Sequence, residues 1–209
     1  MKKIHVRHVC AALCLLLLPS TTLLAQAPAL LLTAPSTDSP RHIAERYLQQ
    51  DAQRRQLHPR DLEYRVEDES RNALTGVTHV SFQQTIDSIP VRLGLTKVNV
   101  LPDGRVLSAS NGFVTQVAQQ ASRSTPSLSA ADAVERVARH MGLSSRGVVE
   151  QAPLQGDYQT FRLFSGGAIS GDKDIGVTLV YEKTKDSVRL AWLVLVNRYE
   201  SHLEVLEVR

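Results

Sequence analysis

Five histidines lie beyond residue 25: His42, His58, His79, His140 and His202. Zinc-dependent peptide hydrolysis needs two histidines one helical turn apart and a glutamate as general base, the H-E-x-x-H run. None of the five has another histidine within four residues. Each therefore reads as a surface or strand residue, with His140 placed to meet the dipole at the end of a helix. A hydrolase serine usually sits in G-x-S-x-G, a pattern the chain lacks. The run from Gly166-Gly167 to Ser170-Gly171 has neither the lysine nor the spacing of a phosphate loop and reads as a flexible turn. Glu67-Asp68-Glu69 reads as a solvated acidic face in a loop, ahead of a cation site. Gln83 and Gln84 stand apart from these. Neighbours on a strand point to opposite faces, so one of the two must enter the protein, where an amide needs hydrogen-bond partners. They are either an internal brace or a partner contact. The expectation is of no catalytic residue, no metal site and no cofactor, hence of a protein that is not an enzyme.

Composition narrows the classes further. The 209 residues are 43% hydrophobic and 22% charged, ordinary for a globular chain of one or two domains. Met1 to Ala25 reads as a secretory signal peptide: Lys2, Lys3 and Arg7 precede the apolar run Val9 to Leu18, and Ala25 marks the cut. Pro19 and Ser20 to Thr22 interrupt that run, which leaves it short for a membrane span; a retained anchor is the alternative. The leader holds three of the 24 lysines and arginines and no acid, which leaves 21 cations against 21 acids. A neutral chain offers nucleic acid no concentrated positive field. Both cysteines, Cys10 and Cys14, lie in the leader, so the remainder can form no disulfide and no thiolate site. Nothing in the sequence specifies an oligomeric state.

The elements that would carry the glutamines come next. Residues 26–39, rich in Ala, Pro, Ser and Thr, read as a flexible tether. A helix starts near Pro40 under a Ser39 cap, with an apolar stripe of Ile43, Ala44, Tyr47, Leu48 and Ala52, and ends at His58-Pro59. A polar stretch from Glu67 to Thr75 leads into two strands between Gly76 and Val100, joined at Asp87-Ser88, with Val80, Phe82 and Ile86 on one face. The turn Leu101-Pro102-Asp103-Gly104 returns a third strand over Arg105 to Phe113. Val114 to Thr125 is a linker or a short helix. Ser129 and Asp132 form a capping-box variant ahead of a helix carrying Ala133, Val134, Val137, Ala138 and Met141, stopped by Gly142. Four strands follow at Tyr158 to Phe164, Ile175 to Lys183, Val188 to Asn197 and Leu203 to Val208. The third is apolar on both faces apart from Arg189 and reads as central.

The order His79-Val80-Ser81-Phe82-Gln83-Gln84-Thr85, Ile89-Pro90-Val91, Asn99-Val100 and Asp103-Gly104-Arg105-Val106-Leu107-Ser108 resembles the fungalysin/thermolysin propeptide motif of secreted zinc metallopeptidases. Asp87-Ser88 departs from the Asn-Gly that relatives carry and that suits a tight turn. The second half resembles the PepSY-like domain of the same pro-regions. The matching residues are Pro126-Ser127-Leu128-Ser129-Ala130-Ala131, Phe164-Ser165-Gly166-Gly167, Val177-Thr178-Leu179-Val180-Tyr181 and Arg189-Leu190-Ala191-Trp192. Leu203-Glu204 stands where relatives have paired aromatics, and Arg209 ends the chain before any zinc-binding domain.

The resemblance implies an α+β fold of two small cystatin-like domains, each a helix on an antiparallel sheet, at 40–113 and 126–209 about a linker at 114–125. It implies an exported (secreted or periplasmic), non-catalytic protein that binds a zinc metallopeptidase as inhibitor, folding chaperone or both. Phe82, Gln83, Gln84, Pro90 and Val91 are the candidate partner-contact or motif residues. A severed pro-region of a longer precursor and a secreted peptide- or surface-binding module are the alternatives.

Overall fold

The computed structural model describes residues 31–121, 125–151, 160–199 and 202–208; the leader expected at 1–25 and the start of the tether lie outside them. Helix α1 (Pro40–Arg54) begins with proline where no N–H is needed, and the Ser39 hydroxyl accepts from the His42 N–H. Its five predicted apolar residues, Ile43, Ala44, Tyr47, Leu48 and Ala52, are all buried. His58-Pro59 does not end this helix but opens a 3₁₀ turn, Pro59–Leu62.

The stretch expected as a polar lead-in is largely strand. β1 (Tyr64–Arg71) is half-buried over its first three residues and exposed from Glu67 onward. An edge strand needs a partner on one side only, and charge on its open side discourages pairing with other chains. Glu67-Asp68-Glu69 therefore lies on that edge and not in a loop. β2 (Thr78–Ile86) and β3 (Ile89–Val100) form the expected hairpin. Asp87 and Ser88 both adopt positive φ, at 49° and 65°, as a two-residue primed turn requires. Arg60 Nη2 donates to Asp87 Oδ1 at 2.8 Å across its mouth. β4 (Val106–Ala109) stops short of the expected Phe113. Beyond it one backbone bond, Ser110 N–H to Lys97 O, is joined by side-chain bonds: Ser110 Oγ accepts from the Lys97 N–H and Thr96 Oγ1 from the Gly112 N–H.

The described part of the tether is laid along β4. The Leu32 N–H donates to Val106 O at 2.9 Å, Thr33 Oγ1 accepts from the Val106 N–H, and the Ser36 N–H donates to Asp103 O. Gly104 makes this approach possible, since a Cβ there would lie 1.9 Å from Ser36 O, and its φ is +78°.

Within 114–125 the chain forms one short helix, α2 (Val117–Gln120), whose Val117 and Ala118 are buried. α3 (Ala130–His140) carries the full capping box: Ser129 Oγ accepts from the Asp132 N–H, and the Asp132 carboxylate accepts from the Ser129 N–H. Gly142 follows at φ +68°. β5 (Phe161–Phe164) is shorter than expected, and Tyr158 lies outside the described residues. Gly167–Ser170 is a single helical turn, α4, where a flexible turn was expected. β6 (Ile175–Lys183), β7 (Val188–Tyr199) and β8 (His202–Val208) complete the chain, with β7 between the other two.

The fold is α+β. Among the described residues eight strands form one sheet in the order β1-β2-β3-β6-β7-β8, with β4 beside β3 and β5 beside β6. Residues 31–209 make one compact unit around two cores. The first packs α1 on Val80, Phe82, Val98, Val100 and Val106; the second packs α3 on β6 and β7. The second core also takes Ile86, Ile89 and Val91 from the hairpin end. Val80, Phe82 and Ile86 along β2 are all buried, the first two in the first core and Ile86 in the second.

Gly104→Ala is expected to lower stability by more than about 1 kcal/mol, from the left-handed backbone alone, and to release residues 32–36. Thermal denaturation and faster hydrogen exchange at the Leu32 and Ser36 amides check this; unchanged exchange there would refute the role given to Gly104.

Candidate functional site: a braced bend in β3

β3 passes from one core to the other. Val98 and Val100 face the first, Ile89 and Val91 the second. The crossing is made where Gln84 on β2 stands alone against residues 91–94, between the pairs Gln83–Leu95 and Thr85–Pro90. Such a bulge bends a strand and leaves backbone groups without ladder partners.

The two glutamines supply those partners. Gln83 Nε2 lies 2.8 Å from Val91 O, 3.0 Å from Gln84 O and 3.4 Å from Gly94 O. Gln84 is fully buried. Its Nε2 donates to Asp61 O at 2.7 Å and to Val114 O at 2.9 Å, and its Oε1 accepts from the Val114 N–H at 2.8 Å. Both amide hydrogens and the carbonyl are used, as burial demands. Gly94 completes the packing: a Cβ there would meet Gln84 Oε1 at 2.8 Å and Gln84 Cβ at 2.9 Å.

Asp61, which the sequence did not single out, extends the network. It is 1% exposed. Its Oδ2 accepts from the Gln116 N–H at 2.7 Å and its Oδ1 from the Ala118 N–H at 2.9 Å. These bonds fasten α2, and with it the second core, to the 3₁₀ turn before β1. Charge-assisted bonds to backbone N–H are among the stronger ones available. Nothing in the local sequence marks this aspartate, because its partners lie more than fifty residues away.

Phe82, Gln84, Pro90 and Val91 are buried and Gln83 is half-buried; Phe82 belongs to the first core and Val91 to the second, with Gln83 bonded to Gln84 O and Val91 O between them. Phe82 stands edge-on to Tyr64, ring centroids 5.1 Å apart. The loop they hold presents Leu93, with φ +62° and 78% exposure. Arg92 beside it pairs with Glu182 at 3.1 Å. A parallel bridge, Val91 with Tyr181, joins the loop's base to β6.

The histidines are dispersed. His79 Nδ1 is 2.7 Å from Asn99 Oδ1, His58 Nδ1 accepts from the Arg60 N–H, and His42 and His140 are exposed on α1 and α3. The side chain of His202 lies outside the described residues. Among the described residues no three His, Cys, Asp or Glu side chains gather to hold a metal ion, and no helix is long and apolar enough to cross a membrane. A cleft of about 790 Å³ lies between residues 36–40 and the end of the β1–β3 sheet. Its three carboxylates, Asp38, Glu69 and Asp103, pair with Arg46, Arg41 and Arg105.

Residues 63–113 match the family model described as the Fungalysin/Thermolysin Propeptide Motif. No curated protein matches the chain. The matched segment runs from the exit of the 3₁₀ turn to the end of the first core and contains the whole braced loop. It is a propeptide motif and not a catalytic domain.

Gln84→Ala leaves Asp61 O, Val114 O and the Val114 N–H unpaired in the interior and is expected to cost roughly 2–4 kcal/mol. Gln83→Ala, at a half-buried position, is expected to cost about 1 kcal/mol. Urea denaturation separates them; equal and small losses would refute the brace.

Proposed function

We propose that the chain is an exported, non-catalytic, propeptide-like protein that binds a zinc metallopeptidase and acts as its inhibitor, its folding chaperone, or both. The match of residues 63–113 to the propeptide motif carries this reading, and the motif's own residues support it by forming one braced loop. On this reading residues 126–209 serve as a PepSY-like second domain, and residues 1–25 as the leader that directs export.

The physical basis is linkage. A protein that binds the folded peptidase and not its unfolded chain lowers the free energy of the folded form by mass action. If the bound surface includes the substrate cleft, the same contact blocks hydrolysis. Steady blockage calls for roughly 1,200–2,000 Å² of buried surface in total. Supplied in trans, the chain works without the effective concentration that a tether supplies, so inhibition in such an assay should depend on its concentration.

Titrating the exported chain into thermolysin, a peptidase of the type the motif names, is expected to reduce peptide hydrolysis in a saturable way at micromolar levels. Adding it to unfolded thermolysin is expected to raise the activity recovered on refolding. No binding and no change in either assay would overturn the proposal.

A further inference from the structure

Leu93 is held in a conformation that residues with side chains avoid and glycine adopts freely. Glycine follows immediately at position 94, so the sequence has the suitable residue one place away and does not use it where φ is positive. The leucine repays nothing to either core, being 78% exposed. An unfavourable backbone carrying an exposed apolar side chain, and persisting because its surroundings fix it, points to a contact made outside the chain.

The surroundings do fix it. Gln83 Nε2 reaches the carbonyls on both sides of the loop, Val91 O and Gly94 O, and Gln84 packs where a Gly94 side chain would be. Leu93 therefore meets a partner with little backbone entropy left to lose, a property of good anchors. Its setting is electrically quiet: Arg92 pairs with Glu182, and Leu95, 45% exposed, extends the apolar surface two residues on. A partner matching this is concave, apolar and uncharged. Leu74 is more exposed still, at 97%, but sits at the tip of the β1–β2 connection without the positive φ of Leu93, in an ordinary turn held by Asn72 and Thr75.

We propose that Leu93 is the anchor through which this chain engages a zinc peptidase, its branched aliphatic side chain entering an apolar side-chain pocket of the enzyme's substrate cleft. The inference rests on the propeptide reading above and names the surface that reading requires.

Four proteins test it against thermolysin, by competition with a peptide substrate and by thermal denaturation: the unaltered chain, Leu93→Asn, Leu93→Met and Leu74→Ala. Asparagine tolerates left-handed backbone, so Leu93→Asn is expected to raise Tm by about 2–4 °C while weakening binding at least about tenfold. Leu93→Met keeps the apolar volume and is expected to bind within about threefold of the unaltered chain. Leu74→Ala is expected to bind unchanged. Full affinity in Leu93→Asn, with the unaltered chain binding, overturns the anchor and leaves the propeptide reading standing. Failure of the unaltered chain to bind overturns both. Loss of self-association in Leu93→Asn with peptidase affinity intact assigns Leu93 to contacts between copies and also overturns the proposal.

Discussion

A strand that must serve two cores has to bend, and a bend inside a protein exposes carbonyls and amides to surroundings without water. Each such group left unpaired is costly. β3 meets this constraint between Val91 and Gly94, and the amides of Gln83 and Gln84 meet it in turn, replacing ladder bonds with side-chain bonds. Without that substitution the strand would have to run straight, and Ile89 and Val91 could not reach the second core while Val98 and Val100 stay in the first. The continuity of the sheet follows from it.

The network does more than fill vacancies. Gln84 touches the 3₁₀ turn through Asp61 O and the entry to α2 through Val114, while the Asp61 carboxylate takes two N–H groups of the α2 turn. Three segments far apart in sequence thus meet at one buried polar cluster. Such clusters specify geometry more than they add stability, because partial satisfaction is worse than none. The ion pairs elsewhere are mostly exposed, such as Arg139–Glu135 and Arg46–Asp38, and pairs of that kind contribute little. The described residues contain no cysteine, so their stability rests on the two apolar cores.

Much of this was legible beforehand. Ser39-Pro40 and Ser129 with Asp132 announce helix starts through local bonds, so sequence alone places α1 and α3. The alternation of β2, the doubly apolar run of β7 and the Asp103-Gly104 turn are equally local. The pairing of two glutamines on a strand required that one be buried, and Gln84 is. What was missed depends on distant partners. β1 shows no apolar alternation because it is an edge, with only one face and one side engaged. The bend in β3 is a relation between strands, which the pattern of neither strand alone reveals. Asp61 has its role only because residues 116–118 arrive beside it. The hairpin end lies within the first half of the chain yet packs in the second core, a contact that no local pattern announces.

That shared hairpin end bears on how the nascent polypeptide acquires its shape. Synthesis delivers Ile86, Ile89 and Val91 well before α3, β6 and β7, so an apolar platform is ready when the C-terminal elements emerge to cover it. Val91 can meet Tyr181 only after the whole intervening stretch exists, and contacts so distant in sequence slow the search for the native topology. The join between β3 and β6 therefore waits on the C-terminal elements, whose own registers come from their antiparallel pairing with one another.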